Sequence, residues 1–182
     1  CDARVPQDTV FGTPPGDNFT VANIGNSVAT RDATGAEILS GSVLYPIEKT
    51  QPECVIIVGH TDCGAVTAAY GQAAEGAGQE SEELQNELDL LVPIVEEGLS
   101  LLEYGLDRDQ EITRMVEYNV DRQVERLVEH GVDLPVLGVV CDLHGYYDGK
   151  PGQCHLINDQ GSRQKSEVRE AIRSNFQRKL TY

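Results

Sequence analysis

The stretch that most constrains this chain is the apolar run Cys54-Val55-Ile56-Ile57-Val58 followed by Gly59-His60-Thr61-Asp62-Cys63-Gly64. Five apolar residues rich in β-branched side chains read as a buried strand. His60 and Cys63 then stand where a strand hands over to a loop or helix, which is where α/β proteins place chemistry. Imidazole and thiolate are both good zinc ligands, and a spacing of three lets the pair converge on one ion from a single turn. The competing reading is structural, a buried thiol beside a hydrogen-bonded histidine.

The first residues bear on that choice. Asp2-Ala3-Arg4-Val5-Pro6 places a carboxylate and a guanidinium two apart, hence on one side of an extended segment, where they can pair in fork geometry. The structural alternative is a surface ion pair of little value. Asn23-Ile24-Gly25-Asn26 supplies a tight turn that tolerates positive φ. For Asn26 the reading is a structural turn.

In this order the motifs resemble the β-class carbonic anhydrases, whose pattern is Cys-x-Asp-x-Arg, an Asn-x-Gly-Asn turn and Gly-His-x-x-Cys-Gly. The resemblance extends to about Gly161 through Gly138-Val139-Val140-Cys141-Asp142 and Leu156-Ile157-Asn158, which look like the family's last strand pair. It implies zinc-dependent hydration of CO2 to bicarbonate and a proton, in a homodimer or higher homo-oligomer. Metal ligands would be His60 and Cys63, with Asp2 taking a coordination position in a closed form when its pairing with Arg4 breaks. Catalytic roles fall to Asp2, as hydrogen-bond acceptor beside the metal, and to Arg4, which keeps Asp2 ionised. Phe11 and Tyr45 are candidates for an apolar wall near a subunit interface. A zinc held by two thiolates acidifies its water less than a three-histidine site, so alkaline conditions are favoured.

One departure matters. The family's first zinc-binding cysteine stands two residues before the Asp, ahead of Cys1. On an extended segment that preceding position shares a face with Asp2 and Arg4, while Cys1 points away. The expectation is a single domain over 1–182 that lacks its N-terminal segment. Cys1 remains the other candidate for the third ligand, since a chain end can curl toward a metal. Two alternative functions stay open: hydrolysis of COS or CS2 on the same scaffold, and a non-catalytic fold in which four protein ligands close a zinc site.

A net charge of -16, from 30 acidic and 14 basic residues, argues against nucleic acid or anionic membrane as partners. With only four lysines it suggests a salt-adapted, haloarchaeal-like protein in which counterions relieve self-repulsion. No apolar run approaches membrane-spanning length. The five cysteines are an odd count, and Cys54 and Cys141 lie inside apolar runs, so reduced thiols and a cytoplasmic location are expected.

The expected architecture is α/β, a mainly parallel central sheet with an antiparallel edge strand, flanked by helices. Residues 1–5 read as a strand end, 6–17 as a loop and Phe19 to Ala22 as a short strand. Ala36 to Thr50 reads as a helix interrupted late by Pro46, and Ala65 to Tyr70 as helix after the ligand turn. A linker follows over 72–81. A helical stripe from Leu84 to Leu102 is kinked or broken at Pro93, and a second helix carries Ile112 to Leu127. Leu134 to Leu143 reads as a strand, 144–152 as a turn, Cys154 to Asn158 as its hairpin partner and Ser162 onward as a charged helix. Cys154 and His155 point to opposite faces and cannot share an ion. His144 reads as a surface or subunit contact, and His130 as a favourable charge at a helix end.

Overall fold

The computed structural model describes residues 4–102, 104–147 and 150–160. Three strands form the main sheet: β3 (Val55–His60), β4 (Val136–Asp142) and β5 (Gln153–Asp159). β3 and β4 run parallel, from Val55 opposite Val136 to His60 opposite Cys141, and β5 closes the edge antiparallel to β4. This is the expected α/β arrangement. A separate antiparallel hairpin joins β1 (Ala29–Arg31) to β2 (Glu37–Leu39).

The crossover from β3 to β4 runs through α3 (Gly64–Glu75), α4 (Glu82–Leu88), α5 (Val92–Leu99) and α6 (Arg108–Glu129). Helix α6 starts with a capping box, in which the Asp107 side chain accepts from Gln110 N at 2.9 Å and the Gln110 side chain accepts from Asp107 N. Val116, Val120, Val124 and Leu127 form its buried apolar stripe. Two glycines let this stripe approach the sheet. A Cβ on Gly59 would stand 2.6 Å from Val120 Cγ2, and one on Gly138 2.8 Å from Val120 Cγ1. Any larger residue at either position would push the helix off the strands.

Pro93 breaks the predicted long helix into α4 and α5, sitting in the first turn of α5, where a missing N–H costs nothing. Pro46, by contrast, lies within α2 (Gly41–Lys49), which continues to Lys49. Leu39 belongs to β2 rather than to that helix. Three further expectations are corrected. Residues 19–22 form no strand; Phe19 is exposed and this stretch has no ladder partner among the described residues. The stretch read as loop contains a one-turn helix, α1 (Gln7–Phe11). Helix α3 also runs on to Glu75, into the predicted linker. Residues 1–3 and the C-terminal helix expected from Ser162 lie outside the described residues.

The reduced-thiol expectation fails at one pair. Cys141 and Cys154 are directly opposite in the β4/β5 ladder and form a disulfide. Facing positions on antiparallel strands bring the two Cβ atoms close enough to bridge. The register that creates this pairing includes an irregularity at Gly138/Val139, which composition does not reveal. Cys54 and Cys63 remain thiols. The thiol argument for a reducing compartment loses this pair.

Candidate metal centre

The sheet delivers His60 at the last position of β3 and Cys63 at the N-cap of α3. Both side chains are buried. The turn between them is tied down on every side. Thr61 N donates to Cys141 O at 3.0 Å, extending the parallel ladder one residue beyond the strand. Asp62 takes the left-handed conformation at φ 57, which Asp tolerates, and reverses the chain. The Cys63 carbonyl accepts from Thr67 N at 2.9 Å and from Thr67 Oγ1 at 3.0 Å, starting the helix.

This geometry prepares both donors. His60 Nδ1 lies 3.0 Å from Thr61 O, and a carbonyl can only accept, so Nδ1 carries the proton and Nε2 the lone pair. That is the tautomer a metal-bound imidazole needs, with the second nitrogen oriented by a backbone oxygen. Cys63 stands at the positive end of the α3 dipole, where a thiolate is favoured. One neutral imidazole and one thiolate suit zinc. Among the described residues no group of three or more His, Cys, Asp or Glu side chains gathers around a metal position. Asp2 lies outside the described residues. Arg4 is exposed, next to Val5, whose side chain is buried against Val139 and Cys141, so residue 4 is held at the face of β4 opposite α6.

Two residues of this region went unread in the sequence. Thr61 is fully buried, and its hydroxyl accepts from Leu143 N at 2.9 Å. Asp142, at the end of β4, is also fully buried and accepts from the backbone N–H groups of His144, Gly145 and Tyr147 at 3.1, 2.9 and 3.0 Å. Burial pushes its carboxyl pKa up, but donors from Tyr147, Tyr146, His144 and Gly145 outweigh that and hold it below the usual value. An Asp leading into a Gly-containing turn was the available signal, since its carboxylate can take the turn's backbone donors. The neighbouring pair Cys154 and His155 is engaged elsewhere. His155 stacks on Tyr147 at 4.5 Å between centroids, and Cys154 is in the disulfide.

The chain is similar to known proteins in sequence and in fold. The carbonic anhydrase family model matches residues 1–147. A carbonic anhydrase of Helicobacter pylori strain J99 is 30% identical over 97 residues, 53% of this chain and 44% of that protein. The chloroplastic beta carbonic anhydrase 5 of Arabidopsis thaliana is 32% identical over 75 residues, 41% of this chain and 25% of that protein. The matched stretch thus spans less than half of either relative. Among solved structures, a tetrameric beta-carbonic anhydrase of Sordaria macrospora superposes with a TM-score of 0.65 at 22% identity, over 86% of this chain and 76% of that one. The Coccomyxa beta-carbonic anhydrase in complex with acetazolamide gives 0.65 at 19% identity, over 100% and 81%. At these identities the structural likeness speaks to fold, while the family match covers most of the sequence. The chain belongs to the carbonic anhydrase family and has the fold of its β class.

Proposed function

We propose that this chain catalyses the zinc-dependent, reversible hydration of CO2 to bicarbonate and a proton. The observation that carries the reading is the buried His60/Cys63 turn, with the histidine tautomer fixed by Thr61 O. His60 would hold the metal through Nε2 and Cys63 through its thiolate. Zinc at such a site supplies Lewis acidity, which makes water nucleophilic near neutral pH. Asp2 would act as hydrogen-bond acceptor beside the metal, and Arg4 would keep it ionised. With that pair open, Asp2 would be free to serve as a metal ligand in a closed form.

A homodimer or higher assembly follows from the same reading. Phe19 and Tyr45 are 55% and 57% exposed with ring centroids 6.2 Å apart, an apolar surface suited to a second copy, and Phe11 lies on α1 as a further candidate for that wall. The charge of -16 supports salt adaptation and argues against nucleic acid as partner. No helix among the described residues is long and apolar enough to cross a membrane.

Metal analysis paired with stopped-flow CO2 hydration tests the proposal. We expect about one zinc per chain, and His60→Ala and Cys63→Ser should each lose metal and activity, since each removes a ligand. Stoichiometric zinc retained in both variants would show that this turn is not the site. Turnover of COS or CS2 without CO2 hydration would assign a different substrate.

A further inference from the structure

Two bonded sulfurs lie on the same face of the sheet as His60. In the parallel ladder His60 stands opposite Cys141, and in the antiparallel ladder Cys141 stands opposite Cys154. Residues paired across a ladder point to the same side. His60 and the Cys141–Cys154 disulfide therefore share the face turned away from α6. The neighbours of the sulfurs agree. Val5, Val139 and Cys141 form a small buried cluster there, against which Val58 and Cys154 pack, whereas Gly59 and Gly138 meet Val120 on the other face. Val5 follows Arg4, so the same cluster seats the segment that leads to the Asp2/Arg4 pair.

The disulfide closes a loop of sequence separation 13, and that loop carries the groups that hold the ligand turn. Cys141 O accepts from Thr61 N at 3.0 Å, and Leu143 N donates to Thr61 Oγ1 at 2.9 Å. Between them, Asp142 takes the backbone donors of the turn through its carboxylate and the Gly152 N–H through its carbonyl. A covalent tie across such a loop restrains local opening as well as the unfolded chain. With the bond cut, this end of the hairpin keeps its backbone hydrogen bonds but opens more readily. Thr61, one residue past His60 and two before Cys63, then loses part of its support. The two sulfurs also differ in access. Cys141 is 2% exposed, whereas Cys154 is half-buried on the outer strand, so a thiolate from solvent meets Cys154 first.

We propose that Cys141–Cys154 is a thiol–disulfide exchange site, reduced by a dithiol, whose state sets how firmly the His60–Cys63 turn holds its metal. The inference rests on the assignment of zinc to that turn. A thiolate of the dithiol attacks Cys154 Sγ, and the protein S–S bond breaks with its electron pair leaving on Cys141 Sγ, which takes a proton. The second thiol of the reductant, as thiolate, then attacks its own sulfur in the mixed disulfide and releases Cys154 Sγ, which takes the other proton. Two protein thiols form and the dithiol leaves as a disulfide, so two electrons and two protons have passed to the protein. The oxidised form holds the turn, and the reduced form releases zinc faster. Neither remaining described thiol takes part: Cys54 precedes Val55 at the far end of β3, and Cys63 is buried at the metal turn.

The test compares zinc-loaded protein in two states: oxidised with glutathione disulfide, and reduced with dithiothreitol that is removed under nitrogen before zinc is restored. Reduction should expose two further titratable thiols per chain. Zinc transfer to a chromophoric chelator should then run about tenfold faster or more. The Thr61 amide should lose hydrogen-exchange protection while the Val120 amide keeps it, and reoxidation should reverse all three changes. The double variant Cys141→Ser/Cys154→Ser, never exposed to reductant, should match the reduced wild type. Cys154→Ser, which leaves the buried Cys141 in place, makes the same comparison if the double variant does not fold. Equal zinc release and equal Thr61 protection in the two states overturn the proposal. So does an oxidised preparation in which every thiol still titrates, and so does a Cys154→Ser variant that matches the oxidised wild type. A turn that binds no zinc in either state sinks the metal assignment and this proposal with it, whereas zinc bound there and released at one rate in both states sinks this proposal alone.

Discussion

Helix α6 meets the β3/β4 pair through apolar contact, whereas it holds the 23–39 segment through hydrogen bonds. On the sheet side, Val116, Val120, Val124 and Leu127 repeat at helical spacing and settle onto Gly59 and Gly138. Toward the other segment, Asn119, Gln123 and Arg126 form a polar file. Asn119 Nδ2 donates to Gly25 O at 2.9 Å, Gln123 Oε1 accepts from Val28 N at 3.0 Å, and Gln123 Nε2 reaches Asn119 Oδ1 at 2.9 Å. Arg126 pairs with Glu37 at 2.6 Å. The first interface is non-directional and tolerates shape-conserving change; the second is directional, and losing one partner strands another.

The largest expected effect is on the apolar side. Leu127→Ala removes a fully buried side chain and should destabilise by about 2–5 kcal/mol, measured by urea unfolding. A cost well below that range would mean the helix relaxes into the space. The sheet interface would then be looser than the glycine contacts indicate.

The polar side should respond differently in kind. Gln123 is fully buried, and Gln123→Met keeps its approximate volume while leaving the Val28 N–H and Asn119 without their partner. The expected cost is about 1–3 kcal/mol. Hydrogen exchange should show the loss locally, with the Val28 amide losing more protection than the amides of β4. Equal loss at both places would erase the distinction between the two interfaces.

That distinction also explains what the sequence made legible. The strand at Val55–His60, helix α6 and the β4/β5 hairpin are elements whose apolar residues face the core, and a periodic pattern records such burial directly. The ligand turn was legible for a different reason, because few residue types bind a metal. The 19–39 region is held by single hydrogen bonds from α6, by Arg31 donating to Asp89 O and by isolated burials such as Val28, none of which leaves a periodicity. Phe19 and Val21 therefore read as a strand although they are exposed. Leu39 kept helical spacing with Val43 and Ile47 by coincidence of phase, and only the β1/β2 pairing separates it from α2. Thr61 and Asp142 were missed because their roles depend on pairing two distant stretches, His60 beside Cys141, a register set in three dimensions. The Cys141–Cys154 disulfide is the same kind of fact.

The smallest expected effect separates two electrostatic contributions of opposite sign. Arg126 and Glu37 attract across the polar interface, with side chains 18% and 42% exposed. Burial lowers the Arg126 pKa, which Glu37 partly opposes by favouring the cation. A partly exposed pair of this kind contributes about 0.2–1 kcal/mol, and salt screens it. Against it stands the self-repulsion of a chain with net charge -16, which salt relieves. One attractive pair cannot outweigh the repulsion among 30 carboxylates offset by 14 basic groups, so screening should favour the fold on balance. The wild-type melting temperature should therefore rise from low salt to molar KCl. Arg126→Ala loses the pair and adds one more uncompensated negative charge, so it should melt lower at low salt. The gap should narrow as KCl rises, because both terms are screened. A gap that stays constant would show that the Arg126 side chain acts through packing of its stem rather than its charge. A wild-type melting temperature that is flat or falling would remove the case for salt adaptation while leaving both faces of α6 as described.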